Sequence, residues 1–376
     1  MPAMDTASFD SELSLFKYDD LDPVPEAYRD LDPARRQERI AAVRAELGDD
    51  VLVLGHNYQR EEIVELADFV GDSYALSTRA AEADAETVVF AGVTFMAESA
   101  DIITDADQSV VLPSVEASCP MAGMAEALQV DAAWADLTEV ASADSIVPIC
   151  YMNSYADLKA FCGEHGGLVC TSSNAARAFE WALDRGETVL FLPDKHLGVN
   201  TARDLGIDDA TVIYDPWDPD GLDPATALDN DLVVWDGYCQ VHDRFTTDHV
   251  EAVRAEDPEV SVVVHPECRP SVVESADAVG STAQIRTLIE DADPGETWAV
   301  GTEIHMVNHL DRWADADVRA LCGDACSDCN AMRQIDPAAV LWVLESIADG
   351  STPNVVSVDP ETAEYARTAL DRMLDL

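Results

Sequence analysis

Lysine is nearly absent from the chain: among 376 residues only Lys17, Lys159 and Lys195 supply it. Arginine does not make up the deficit, since 22 basic residues face 74 acidic ones and the formal net charge is −52. Binding to a nucleic-acid backbone needs a basic face, so that class of partner is excluded. No long run of one charge sign occurs, which excludes an acidic tail as the source of the charge. An acidic, lysine-poor surface spread along the whole chain is the composition expected of a halophilic protein. In such salt the Debye length falls to about 3 Å or less and self-repulsion is screened. Long apolar runs are missing too, none approaching the roughly 20 residues that span a bilayer, so no membrane partner is expected. Met1–Asp20 lacks a basic stretch before an apolar core, so neither a secretory signal nor a transit peptide is visible and a cytoplasmic location is expected. In that compartment nine cysteines do not imply a disulfide framework.

What is present is a repeat. A continuous apolar strand ends in a polar residue, a Ser/Thr turn follows, a second apolar strand comes next, and a cysteine closes the unit. The first round is Val51–His56, Gly71-Asp72-Ser73, Val88–Gly92 and Cys119. The second is Ile146–Tyr151, Thr171-Ser172-Ser173-Asn174, Val189–Leu192 and Cys239. The third is Val260–His265, Gly280-Ser281-Thr282, Trp298–Gly301 and Cys329. Unbroken apolar strands alternating with helical segments signify βαβ units with parallel sheets buried on both faces. The expected fold is therefore α/β, with three similar α/β/α sandwich domains of parallel sheet about a pseudo-threefold axis. The expected limits are an N-terminal extension over 1–34, repeats over 35–133, 134–257 and 258–335, and C-terminal helices over 336–376. The second repeat is longer, and its excess near 208–231 includes the Asp/Pro-rich run 215–224, read as a surface insertion. Asp32-Pro33 predicts a helix start, with Ile40, Val43 and Leu47 on one face and a stop near Gly48.

In parallel α/β units ligands sit beyond the carboxyl ends of strands. His56, Tyr151 and His265 each follow an apolar run, accompanied by Asn57-Tyr58, Met152-Asn153 and Pro266-Glu267. The three hydroxyl turns each introduce a helix. Singly they are N-caps, but three converging on one cavity would hold a small polyanion. Cys119, Cys239 and Cys329 each precede a helix, whose N-terminus is expected to favour the thiolate. Three thiolates without an evident fourth suit a [4Fe–4S] cluster with one iron open to substrate. Cys268 is a less secure candidate, while Cys150, Cys162 and Cys170 sit in or beside apolar stretches and read as small hydrophobes. Cys322, Cys326 and Cys329 also reproduce the C-x3-C-x2-C motif of radical S-adenosylmethionine enzymes. That motif belongs after the first strand of a barrel, whereas here it follows the last repeat. Cys326 and Cys329 are a candidate reversible disulfide, and a local zinc site lacks a fourth ligand.

Together these motifs resemble the quinolinate synthase family over roughly residues 50–345. The resemblance rests on Gly55-His56-Asn57-Tyr58-Gln59, Gly71-Asp72-Ser73, Gly92–Glu98, Cys119-Pro120-Met121-Ala122, Tyr151-Met152-Asn153 and Thr171–Ala175. It continues through Phe191–Asp194, Gly237-Tyr238-Cys239, His265-Pro266-Glu267-Cys268, Gly280-Ser281-Thr282 and Gly301-Thr302-Glu303. It implies a [4Fe–4S] cluster on Cys119, Cys239 and Cys329. It also implies condensation of iminoaspartate with dihydroxyacetone phosphate to quinolinate in NAD biosynthesis, with a functional link to the enzyme supplying the imine. The substrate positions it implies are His56, Ser73, Tyr151, Met152, Asn153, Ser172, His265, Pro266, Glu267 and Thr282. Proton transfer falls to Tyr58, Glu267, Tyr151 and His265, with Glu267 as general base, and burial facing an anion is expected to raise its pKa. The chain departs from the family in its second-unit insertion and in having three residues, not two, between Cys322 and Cys326. An iron–sulfur sensor and an unrelated iron–sulfur hydro-lyase are the competing readings.

Overall fold

The computed structural model describes residues 22–215, 218, 222–323, 326 and 328–376. Two stretches singled out in the sequence lie largely outside them: the first part of the N-terminal extension, and Pro216, Trp217, Pro219, Asp220 and Gly221 of the insertion. Within the described residues the chain forms three sheets. The first unit contains β1 (Val51–His56), β2 (Phe69–Gly71), β3 (Thr87–Ala91) and β4 (Ser109–Val111). The second contains β5 (Ile146–Tyr151), β6 (Leu168–Cys170), β7 (Thr188–Leu192), β8 (Thr211–Tyr214) and β9 (Leu232–Trp235). The third contains β10 (Ser261–Val264), β11 (Ala278–Val279), β12 (Thr297–Gly301) and β13 (Asp317–Ala320), and β14 (Val355–Val356) follows late in the chain.

The strand orders are β2-β1-β3-β4, β6-β5-β7-β9-β8 and β11-β10-β12-β13, and every pairing among these strands is parallel. The three units thus share one topology, in which β9 takes the place of β4 and β13. β8 is an additional edge strand lying beyond it, within the extra length of the second unit. β14 adds antiparallel to β4. Parallel pairing requires a crossover, and a helix fills it each time.

The central ladders end in equivalent register, at Gly55↔Ala91, Cys150↔Leu192 and Val264↔Gly301. The next residue of the central strand is His56, Tyr151 or His265, which is what delivers all three to the same side of the molecule. β10 is buried on both faces as its sequence requires. Val262 and Val264 pack with Val250, Val272 and Leu321, whereas Val263 packs with Ile285, Val307 and Leu310. The first two sheets share one large core with the C-terminal helices Pro337–Ala348 and Pro360–Leu374. The helix expected after Asp32-Pro33 runs over Pro33–Leu47, capped by the Asp32 carboxylate on the N–H groups of Ala34 and Arg35. It is stopped by Gly48 at φ +54°, and Ile40 and Val43 are buried. Among the described residues no helix is long and apolar enough to cross a membrane.

Candidate active site

A cavity opens where the carboxyl ends of the three sheets meet. His56, Tyr58 and Ser73 reach it from the first unit, Tyr151, Met152, Asn153 and Ser172 from the second, and His265, Glu267 and Thr282 from the third. Cys119, Cys239 and Cys329 line the same space, one per unit. None of its lining residues is Lys or Arg, so an anion here is met by hydroxyls and imidazoles beside the carboxyl groups of Asp72 and Glu267.

The strand-end loops of the first and third units fold alike. The N–H of Tyr58 donates to His56 Nδ1 at 3.0 Å, and that of Glu267 donates to His265 Nδ1 at 3.3 Å. Two residues are enough to close each turn, and the N–H groups of Gln59 and Cys268 then bond the His56 and His265 carbonyls. With Nδ1 accepting, each neutral ring carries its proton on Nε2. Burial holds both imidazoles neutral, bringing His56 and His265 down to about 3.

The hydroxyl turns divide their labour. Asp72 caps the helix Ser73–Ala81, and Ser281 caps Thr282–Glu290. Ser281 also receives a hydrogen bond from Ser173 Oγ at 2.8 Å. Ser73, Ser172 and Thr282 are thereby left to face the cavity.

A polar chain links the three units. His242 Nδ1 lies 2.6 Å from Glu267 Oε2, and His242 Nε2 lies 3.1 Å from Thr302 Oγ1. Tyr58 Oη is 2.9 Å from Thr302 Oγ1 and 3.2 Å from Thr282 Oγ1. The Tyr151 hydroxyl bonds Glu267 as well. Burial pushes both tyrosines well above the usual phenol range, with the Glu267 charge adding to the effect, so each is a proton donor.

The cysteine loops are anchored from below. The Cys239 N–H donates to Asp194 Oδ2 at 3.1 Å, and the Cys329 N–H to Glu303 Oε1 at 3.0 Å. Both carboxylates are fully buried, and each also caps the helix that follows its strand. In the first unit Val93 holds that cap position, and Thr94 Oγ1 bonds the Ala117 carbonyl instead. Gly237 is needed beside Cys239 because a Cβ there would come 2.4 Å from the Pro193 carbonyl oxygen.

The family description "Quinolinate synthetase A protein" matches residues 38–375. A quinolinate synthase of Halobacterium salinarum is 68% identical over 374 residues, covering 99% of this chain and 100% of its own. One of Haloarcula marismortui is 64% identical over the same coverage, and one of Acidobacterium capsulatum is 49% identical over 93% and 95% of the two chains. The chain belongs to the quinolinate synthetase A family. It is accordingly an enzyme.

For a member of the quinolinate synthetase A family, three expectations from the sequence are corrected by the structure. Burial does push Glu267 up, but the groups around it, led by the hydrogen-bonded His242 ring, more than offset it and bring the carboxyl down to about 2. Helix-start N–H groups do lower each cysteine thiol, yet each following helix is a single turn and burial prevails. Cys119 is pushed up to about 11, Cys329 to about 12, and Cys239 well above its ordinary value. The disulfide pairs Cys322 with Cys326, leaving Cys329 free. Pro266 is not among the lining residues; its carbonyl turns to Asn200. Cys268 is buried under the third sheet with Sγ 3.7 Å from the Gly301 carbonyl, and Cys150, Cys162 and Cys170 are buried core residues.

The sequence reading gave no individual role to His242, Thr302, Asp194 or Glu303. His242 stood in plain view at C-x2-H spacing from Cys239, a metal-ligand interval. The Cys239 sulfur, a His242 nitrogen and a Glu267 oxygen lie within 4.8 Å of one another. Three half-buried thiols, raised in pKa and met by helix-start N–H groups, are a donor set that ionises readily only against a bound cation. That chemistry fits an iron–sulfur cluster, as does the absence of a fourth cysteine from the cavity lining.

Proposed function

We propose that the chain condenses iminoaspartate with dihydroxyacetone phosphate to form quinolinate, one phosphate and two waters, as a step of NAD biosynthesis. The observation that carries the reading is the convergence of Cys119, Cys239 and Cys329 with the three strand-end loops on one cavity. In it, Cys119, Cys239 and Cys329 would hold a [4Fe–4S] cluster, which would supply Lewis acidity toward a leaving hydroxyl. Ser73, Ser172 and Thr282 seat the phosphate and two carboxylates through hydroxyls and helix-start N–H groups. Glu267, already ionised, accepts the proton removed from carbon, and His242 steadies its charge. Protons return through the phenols of Tyr58 and Tyr151. His56 and His265 donate Nε2–H to substrate oxygens, with Asn153 and Met152 closing the second-unit side.

The reading also takes in the repeats 35–133, 134–257 and 258–335 as the three domains, flanked by 1–34 and 336–376. It places the enzyme in a reducing cytoplasm rich in salt, supplied by an imine-forming enzyme. The net charge of −52 supports the salt. Anaerobically reconstituted protein given oxaloacetate, ammonia and dihydroxyacetone phosphate should yield quinolinate. Failure to do so in high salt, with iron bound, rejects the assignment.

A further inference from the structure

The helices that follow the third strand position of each unit, Thr94–Ile103, Lys195–Leu205 and Ile304–Trp313, begin at the N-caps Val93, Asp194 and Glu303. Six residues beyond each N-cap stands Ser99, Asn200 or His309, all three buried. Each one reaches into the strand-end loop of a different unit. Asn200 Nδ2 donates to the Pro266 carbonyl at 2.7 Å and to the Cys268 carbonyl at 2.8 Å, bracketing Glu267. His309 Nε2 donates to the Gln59 carbonyl at 2.8 Å, one residue past Tyr58. Ser99 Oγ lies 3.6 Å from Met152 Sδ, and the neighbouring Glu98 accepts from the Ala156 N–H at 2.9 Å. The direction is cyclic, from first unit to second, second to third, and third back to first.

We propose that Asn200 and His309 are positioning residues, Asn200 holding the loop of Glu267 and His309 holding the loop of Tyr58. The assignment of proton transfer to those two residues rests on the function proposed above; the clamp itself rests on the contacts. Each clamp has one workable orientation. Turning the Asn200 amide over would set its oxygen against two carbonyls, and in the observed orientation Oδ1 has no partner. A buried acceptor left unpaired costs free energy, which the two donated bonds offset. His309 is fixed as the Nε2–H tautomer because Arg312 Nη2 donates to Nδ1 at 3.1 Å, and its ring stacks on Trp313 with centroids 5.0 Å apart. Neither side chain lines the cavity, so each acts through the loop it holds.

The cyclic order gives a test that general destabilisation cannot imitate. In the full-length, cluster-loaded protein, H309F should speed amide exchange at Tyr58 and Gln59 by roughly tenfold or more and leave Glu267 and Cys268 unchanged. N200D, which removes both donors at constant shape, should do the reverse. N200S reads the same loop with no added charge should N200D accumulate poorly. Turnover should fall roughly 100-fold with KM moved less than about threefold, iron content should stay the same, and H309Q should recover roughly tenfold of the H309F loss. Unchanged exchange in both loops, or equal loosening of both in either variant, overturns the proposal. If the loops respond as stated but the loaded wild type makes no quinolinate, the clamps stand and the reaction assignment falls.

Discussion

His242 and Glu267 are in contact, Nδ1 to Oε2 at 2.6 Å, with both side chains almost wholly buried. The contact joins two units, because His242 follows the cysteine of the second and Glu267 the central strand of the third. It also reverses what burial alone would do to Glu267 and keeps the group a carboxylate at neutral pH.

Replacing His242 with Gln should therefore move the acid limb of the kcat/KM profile upward, since Glu267 loses the strongest of the groups that lower it. Catalysis near neutrality should fall on the order of 10²-fold or more, the usual worth of a positioned acid–base group. A pH–rate profile of H242Q with an acid limb unmoved from the wild type would remove His242 from this role.

Tyr58→Phe deletes the hydroxyl that lies between Thr302 and Thr282. Thr302 keeps its contact with His242 Nε2, so stability should change by about 1 kcal/mol while turnover falls by roughly 10². Denaturant midpoints and kcat measured on the same preparation separate the two effects.

Much of this was legible beforehand, and the rest was hidden for identifiable reasons. β1, β5 and β10 are continuous apolar runs because both their faces are covered, and such runs announce themselves. β2, β11 and β14 did not, being two or three residues long at sheet edges, where few side chains need be apolar. β13 was missed because Asp317 and Arg319 interrupt its pattern on a half-exposed edge. His56, Tyr151 and His265 could be found because a strand end marks them. Asp194 and Glu303 act on backbone N–H groups distant in sequence, and no local pattern reports such a bond. His242 lowers Glu267 only through a contact across units, so the direction of that shift could not be read from the loop alone.

Stability should depend on pH through the two buried imidazoles. His56 and His265 are held down to about 3, whereas the unfolded chain binds their protons near the ordinary 6.5. A base whose pKa is depressed on folding contributes stability fully above its unfolded pKa. That contribution is lost as pH falls from about 6.5 toward 3. Unfolding at fixed high salt should show a steep loss over that window, and H56Q should flatten it. A profile with the same slope in H56Q and wild type would contradict the buried neutral ring.

Salt dependence should be large. Lowering ionic strength from about 1 M to about 0.1 M lengthens the Debye length from about 3 Å to about 10 Å, exposing the acidic surface to its own repulsion. Circular dichroism and sedimentation across a KCl series should show loosening at the low end. Retention of a compact fold at about 0.1 M would separate the acidic composition from any need for salt.

The cysteine anchors predict an outcome that depends on which oxygen is lost. Glu303 Oε1 accepts from the Cys329 N–H, while Oε2 accepts from the N–H groups of His305 and Met306. All three partners are donors, so the side chain has use for two oxygens and none for an amide nitrogen. Glu303→Gln must therefore give up either the helix cap or the cysteine loop, and Asp194→Asn faces the same choice between Leu197 and Cys239. The helix cap is local and re-forms readily, so the cysteine bond is the one expected to go. A buried donor left unmet costs about 1–3 kcal/mol, enough to lower cluster retention severalfold without unfolding the unit. Iron per chain and visible absorbance should then fall in the order wild type, Glu303→Gln, Glu303→Ala. Cys329→Ala should hold no cluster and show no activity, whereas Cys322→Ser should keep its iron because the disulfide pair lies outside the cavity lining. Full iron in Glu303→Ala would mean that Cys329 is held by its own helix turn and that the buried carboxylate serves only as a cap.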